Sequence, residues 1–477
     1  MGLNEKTDEQ KLSALKARYR KQISQIEKKI EAGDYAPEEK PSPIKLDKDA
    51  IDLKDQLIKL QNEREARLAQ QEYENRNRIQ KAKDTAADAL DAVRTIQTNP
   101  DMSFFGRQGI KYLVTHPIKG PKLFWESAKQ AVSQKKYDRW LHDIHNSETW
   151  QLIEDSGLAV LDPTTLHASK REEQWRSQLI HKIPIAGQVA KASERAFTSA
   201  ANMARVDWFM EGVKILREQG KTFENSPDEY KGWASAVNNM TGRGGLGAFE
   251  PVAGQLAIPF WSPRLIASNI NLFLNPMYYY KLPKTARLML LKNMAQYITT
   301  GVAFLGLANV LGADTEIDPR SSDFGKIKVG DTRYDIWGGA AQYIRAVTQI
   351  LTSTRKSNGG EEALDAKGIT RVGTNLIRSK LSPLIGFAVD AKLGENIVGE
   401  KVEWKDAWKL MVPMLWNDIK DAQKSGGADA AAVAGLLSFL GIGSQTYGQR
   451  SGSSSNTSGK PKKQGRPNNN KNTKKLR

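Results

Sequence analysis

Cysteine is absent from this chain. That excludes disulfides, thiolate nucleophiles and zinc sites with Cys ligands. Other signatures of catalysis are missing too, with no Gly-x-Ser-x-Gly turn and no HExxH pair. The N-terminus, Met1-Gly-Leu-Asn-Glu-Lys-Thr-Asp-Glu9, is charged and lacks the apolar core of a secretory signal. Lys6 stands where a myristoylation motif needs Ser or Thr. Between 101 and 320 no run alternates with the period of a strand, so helix is expected throughout that region. The last 28 residues contain no Asp or Glu.

What is present is a hydrophilic, basic chain of 477 residues, 39% apolar and 26% charged, with a net charge of +17. Nine of those positive charges fall after residue 449, leaving about +8 for everything before. That tail is Ser-, Asn-, Gly- and Lys-rich and has no large apolar residue before Leu476. It cannot bury enough surface to offset its ordering entropy, so residues 450–477 are expected to be disordered. Lys460, Lys462, Lys463, Arg466, Lys471, Lys474, Lys475 and Arg477 are its candidate nucleic-acid contacts. On a flexible backbone they suit non-specific binding to phosphates through counterion release. A purely solubilising tail is the plainer alternative.

The fold class expected is mainly α. Leu12, Leu15, Tyr19, Ile23, Ile26 and Ile30 form one helical stripe within residues 1–35. Pro37, Pro41 and Pro43 mark a linker over 36–46. A long helix over 47–99 starts with Ile51, Leu53, Leu57 and Leu60 and then turns polar, as a solvated spacer would, with a weak coiled coil as the alternative. Aromatic residues become frequent from Phe104 onward and announce a packed helical body over 100–320. Within it, Phe197, Ala201, Ala204, Trp208 and Ile215 share a face of a long helix that begins near Ser193. One β-hairpin is expected near 326–336, where Ile327, Val329, Tyr334 and Ile336 alternate on two arms around Gly330-Asp331. The 321–449 region then resumes helices at 338–353, 370–378, 404–422 and 430–440.

The candidate chemistry is thin. Gly220-Lys221-Thr222 resembles the end of a phosphate loop, but Ile215 stands where its first glycine belongs, so a helix-ending glycine followed by an exposed lysine is preferred. Gly242-Arg-Gly-Gly-Leu-Gly247 follows a helix and not a strand, so it is expected to be a loop. His142 and His145 lie three apart near Asp143 and Glu148, with no third ligand suggested by spacing. Asp314, Glu316, Asp318 and Asp323 lack the calcium-loop pattern and are expected to cap helices or face solvent. No catalytic, cofactor or metal residue is assigned, and no enzyme activity is expected.

Met294 to Ala313 holds 20 residues without a charge, about the length needed to cross a bilayer. Lys281, Lys284, Arg287 and Lys292 precede it, Asp314, Glu316 and Asp318 follow, and Tyr278, Tyr279 and Tyr280 could sit at an interface. Its Gln, Asn, Thr and Gly content favours a buried helix over a membrane span.

Several segments are similar, in order, to one known family. They are Asp101-Met-Ser-Phe-Phe-Gly-Arg-Gln-Gly109, Ser193-Glu-Arg-Ala-Phe197, Thr241-Gly-Arg-Gly244, Phe260-Trp-Ser-Pro-Arg264, Asp318-Pro-Arg-Ser-Ser-Asp-Phe-Gly-Lys-Ile327 and Gly441-Ile-Gly-Ser-Gln-Thr-Tyr447. Together they resemble the helical domains associated with large phage polyvalent proteins, over roughly residues 5 to 450. The resemblance implies a virion-associated module of a tailed bacteriophage, packaged in the capsid and delivered with the genome to the host envelope or cytoplasm. It implies other virion proteins as partners, DNA met through the tail, and a role in protecting or escorting that DNA. An alternative is a membrane-interacting ejection protein that uses 294–313 to breach or line the host envelope. The methylase, helicase and protease modules often carried by that family are absent here.

Overall fold

The computed structural model describes residues 104–145, 147–160, 184–357, 360–397, 399, 401–412 and 414–446, with single positions at 24, 77 and 93. The expected N-terminal helices, the 36–46 linker and the basic tail lie outside the described residues. The chain divides into two units, Met1–Leu53 and Lys54–Arg477, and the helices and strands below belong to the second. They make the body mainly helical, as the sequence predicts.

Short helices come first: α1 (Ile110–Thr115), α2 (Lys119–Val132), α3 (Gln134–His145) and α4 (Glu148–Ser156). The spine is α5, Pro184–Glu218, which packs chiefly on α2 and next on α6 (Pro227–Met240). Several helices start at a polar-Pro pair. Ser226-Pro227 opens α6, Ser262-Pro263 opens α8 (Pro263–Phe273) and Asn275-Pro276 opens α9 (Pro276–Lys281). Proline suits a first turn because its fixed φ is already helical and its missing N–H would have gone unpaired anyway. A single turn, α7 (Ala253–Leu256), precedes α8, and α10 (Lys284–Val310) closes the helical body.

The core is built where small residues on α5 let large neighbours in. Ala200, Ala201 and Ala204 are buried beside Trp208 and Phe209, and Trp233 of α6 joins them. Both buried indoles are satisfied, since Trp208 Nε1 donates to Asn293 Oδ1 at 3.2 Å and Trp233 Nε1 to the Phe209 carbonyl at 3.1 Å. Arg205 is fully buried but spreads its charge over Thr241 Oγ1 (3.0 Å) and the Ala159 carbonyl (3.1 Å). The expected face of α5 is half right at its C-terminal end. Ala201, Ala204 and Trp208 are inside, but Ile215 is exposed and Leu216 is buried in its stead. With α2 and α6 both packed on it, α5 buries more than one narrow stripe.

After α10 comes a small antiparallel sheet in the order β1 (Asp314–Thr315), β2 (Lys326–Val329), β3 (Thr332–Asp335) and β6 (Gly443–Thr446). The expected hairpin is present as β2 (Lys326–Val329) and β3 (Thr332–Asp335), with Val329 opposite Thr332 and Gly330 at φ 60° in the turn. It is not the only one, which corrects the expectation of a single hairpin. A second joins β4 (Thr354–Ser357) to β5 (Gly360–Ala363). Both arms, Thr-Arg-Lys-Ser and Gly-Glu-Glu-Ala, are polar on both faces, so hydrophobic alternation could not reveal them. The same holds for β1 (Asp314–Thr315) and β6 (Gly443–Thr446), which are strands because β2 and β3 offer them backbone partners.

The C-terminal helices follow expectation in part. α11 is Ala341–Thr352, and α12 is Ala366–Arg378, opened early by Asp365 accepting the Gly368 N–H at 2.7 Å. α13 (Pro383–Leu393) has no counterpart among the helices expected from the sequence. The helix expected over 404–422 is instead a 3-10 segment, Trp404–Met411, followed by α14 from Met414. α14 runs to Phe439 across a kink at Gly427, so the helix expected at 430–440 is its second half.

Sheet and helical body meet at Trp337. The Tyr297 ring of α10 stands edge-on to its indole at 5.4 Å between centroids. Tyr297 Oη donates to the Trp337 carbonyl at 2.9 Å, and Trp337 Nε1 donates to the Gly325 carbonyl at 2.9 Å. A Cβ at Gly301 would lie 2.3 Å from the indole, and one at Gly325 would lie 2.4 Å from it. Gly301→Ala is therefore expected to lower stability by about 1–3 kcal/mol through overpacking. An exposed helical Gly→Ala would instead stabilise by roughly 1 kcal/mol. Urea unfolding separates the two, and a raised midpoint in Gly301→Ala would contradict the slot.

Candidate functional site

Four groups of side chains merit weighing as sites. The first lies where α1 and α2 meet α5. Tyr112 and His116 are one helical turn apart, as are Asp207 and Glu211 on α5, so the two pairs face each other. Tyr112 Oη donates to Asp207 Oδ2 at 2.8 Å. His116 Nε2 lies 2.7 Å from Glu211 Oε2, and the His116 ring stacks on Tyr112 at 4.4 Å. Lys119 bonds to Glu211 and lies 3.4 Å from Asp207.

His116, Asp207 and Glu211 could by spacing hold a metal ion, their ligand atoms all lying within 4.8 Å of one another. The charges argue otherwise. The Lys119 ammonium already bridges both carboxylates, where the metal's charge would be needed. Burial works against ionising Glu211, but hydrogen bonds from His116 and Lys119 outweigh it and bring the carboxyl down to about 2. Burial, followed by the hydrogen bond to Asp207, pushes the Tyr112 phenol up. Glu211 thus stays ionised and Tyr112 protonated, an arrangement that clamps α1 and α2 to α5. The two i, i+4 pairs are visible in the sequence, but nothing there brings residue 116 to residue 211.

The second group is the acidic run at 314–323, and each carboxylate has a cation. Asp314 pairs with Lys328 at 3.5 Å, Glu316 with Lys356 at 2.9 Å and Asp323 with Arg333 at 2.6 Å. Asp318 takes Arg320 at 2.9 Å, and Arg320 reaches on to Glu361 of β5 at 2.6 Å. The Arg320 hydrogen bond holds the Asp318 carboxyl down at about 2. Asp335 accepts the N–H groups of Trp337 (2.8 Å) and Gly339 (3.1 Å) and so fixes the turn that presents the indole. These residues tie the two hairpins together through ion pairs, a role the sequence does not predict.

The glycine-rich candidates are also structural. Gly220 has φ 72° at the end of α5. Lys221 is not the exposed lysine expected there. Its ammonium is partly buried and bonded to Glu229 (2.5 Å) and to Thr285. In the 242–247 loop the Gly244 N–H donates to Ser268 Oγ of α8 at 2.6 Å, which turns the loop toward protein. His142 and His145 end α3, with side chains outside the described residues. The eight tail cations, Lys460 to Arg477, lie outside them as well.

The fourth feature is the apolar run. From Met294 onward the buried positions of α10 are Met294, Tyr297, Gly301 and Leu305. Ile298, Val302, Phe304, Leu307, Val310 and Leu311 are exposed, the last two at 83% and 78%. The expected buried helix is correct for one face only. Among the described residues no helix is long and apolar enough to cross a membrane, so the spanning alternative does not hold for α10. Tyr278 and Tyr279 are half-buried. The hydroxyl of Tyr278 bonds to Asn239 (3.0 Å) and that of Tyr279 to the Leu272 carbonyl (2.7 Å), while Tyr280 is exposed.

The clamp carries a pH signature. Glu211 titrates lower in the folded chain than the unfolded carboxylate value of about 4.3. Its contribution is therefore complete above about pH 4.3 and is lost as pH falls through about 2. Glu211→Gln is expected to cost on the order of 1 kcal/mol at neutral pH, because the pair is part-wetted and screened. It should also flatten the loss of stability on acidification across that window. Parallel slopes for both proteins in acid unfolding would refute the clamp. No family model matches this chain, and comparison with curated proteins and with solved structures gives no match.

Proposed function

We propose that this chain is a non-enzymatic internal virion protein of a tailed bacteriophage that works at a lipid surface during genome delivery, using the open end of α10 as its contact. The observation that carries the lipid reading is the cluster of large apolar side chains exposed between Ile298 and Leu311. Large exposed apolar patches are uncommon on soluble proteins and mark surfaces that meet a partner or a membrane. A second exposed set, Trp404, Trp408, Met411 and Trp416, suits the headgroup region, where Trp is enriched. The mode is interfacial, with the outer face of the helix dipping into the headgroup boundary. The phage setting rests on the ordered motifs that resemble the polyvalent-protein family. Mass spectrometry of purified particles tests it, and particles lacking the chain would end it.

Burying one Leu or Val side chain is worth about 1.5–3 kcal/mol, and each 1.4 kcal/mol is about tenfold in affinity. The triple variant Leu307→Ser, Val310→Ser, Leu311→Ser is therefore expected to lose at least about tenfold in flotation with phosphatidylcholine/phosphatidylglycerol vesicles. Equal flotation of variant and parent, or none by the parent, would overturn the lipid reading.

A second contact is favoured by the charge of the tail, nine Lys and Arg with no acid among 28 residues. It suits non-specific DNA binding. Deleting 450–477 is expected to abolish DNA affinity that weakens steeply with salt. Unchanged affinity in filter binding would dismiss that role.

A further inference from the structure

A groove of about 410 Å³ runs between the end of α5 and the first half of α10. Its apolar lining is Ile215, Leu288 and Met289, of which Met289 is buried and the other two are exposed. Lys284, Leu288 and Lys292 recur every four residues along α10, which sets two ammonium groups on either side of an exposed leucine.

The charges do not cancel. Lys221, the third lysine on the rim, is neutralised by Glu229. Glu229 also accepts the N–H groups of Thr285 (3.2 Å) and Ala286 (2.9 Å), so the backbone at the start of α10 is already occupied. Glu218 lies 3.9 Å from Lys214. Lys284 and Lys292 have no ion-pair partner among the described residues. The free charge of the groove is therefore theirs. Apolar lining beside two lysines without an ion pair suits a ligand with an anionic head and an apolar stem.

We infer that this groove binds one anionic phospholipid, its phosphate between Lys284 and Lys292 and its glycerol-acyl stem over Leu288, Met289 and Ile215. The inference deepens the lipid-surface reading and rests on it. The groove and the apolar end belong to the same helix, basic in its first half and apolar in its second. Engagement of one headgroup at 284–292 would orient α10 at the surface and make association depend on anionic lipid.

A soluble short-chain lipid tests the groove without any vesicle. Full-length protein is titrated by calorimetry with dihexanoyl phosphatidylglycerol below its micelle concentration, with dihexanoyl phosphatidylcholine, and with inorganic phosphate. Saturable binding of the glycerol lipid at one site, at least about tenfold tighter than either comparator, is expected. Lys284→Gln with Lys292→Gln should weaken it about tenfold. The Leu307→Ser, Val310→Ser, Leu311→Ser variant should leave it unchanged while losing flotation, which separates failure of the groove from failure of the apolar end. Equal binding of the zwitterionic lipid, phosphate binding as tight as lipid, or no effect of the lysine substitutions would each overturn the proposal. Circular dichroism of the lysine variant guards against misfolding, and Leu288→Ser, at an exposed position, offers an independent variant with the same expected loss.

Discussion

The structure hangs on the place where one indole enters a slot between two glycines. Trp337 comes from the turn after β3, and Gly301 sits in the second half of α10. Because neither Gly301 nor Gly325 carries a side chain, the ring can lie against both backbones. Tyr297 then closes the slot with a ring contact and a hydrogen bond. This junction helps attach a small sheet to a helical body, together with Phe324, Ile327 and Ile336, which pack on the same core. It also sets how α10 is held, one face fastened over Tyr297, Gly301 and Leu305 and the other left open. An apolar helix face that packs only on one side is a direct consequence.

The charged residues around that junction act as fasteners. Asp314, Glu316, Asp318, Asp323 and Asp335 look like a cluster of acids in search of a ligand, yet a lysine, an arginine or a backbone N–H meets each of them. The same logic governs the Tyr112–His116–Glu211 cluster, where Lys119 supplies the positive charge a metal would otherwise bring. Lys284 and Lys292 are among the cations that have no ion-pair partner among the described residues, and both line the groove. That contrast directs attention from the acidic motif to the basic half of α10.

Much of the architecture was legible in the sequence where a periodic pattern coincided with a one-sided environment. The β2–β3 hairpin was plain because its arms alternate and Gly330 can take a positive φ. α5 was plain from its spacing, but its buried stripe does not extend to Ile215, which is exposed while Leu216 beside it is buried. The β4–β5 hairpin and β6 were invisible because polar strands are fixed by backbone pairing and leave no hydrophobic period. Local signals could not tell that Trp404–Met411 winds as a 3-10 segment. For α10, the uncharged run revealed a long apolar helix but not which face the rest of the chain would cover. The groove was hidden for a related reason, since Ile215 and Leu288 are 73 positions apart in sequence.

The central claim is that the outer face of α10 enters lipid while the body stays at the surface. The absence of cysteine makes this directly measurable, because one introduced thiol carries the only label. An environment-sensitive fluorophore on Val310→Cys is compared with the same dye on Gln151→Cys, an exposed position of α4. With phosphatidylglycerol-containing vesicles, the dye at 310 is expected to shift to the blue and to be quenched by lipid-borne quencher, while the dye at 151 stays in water. No shift at 310, or equal shifts at both positions, would contradict the account.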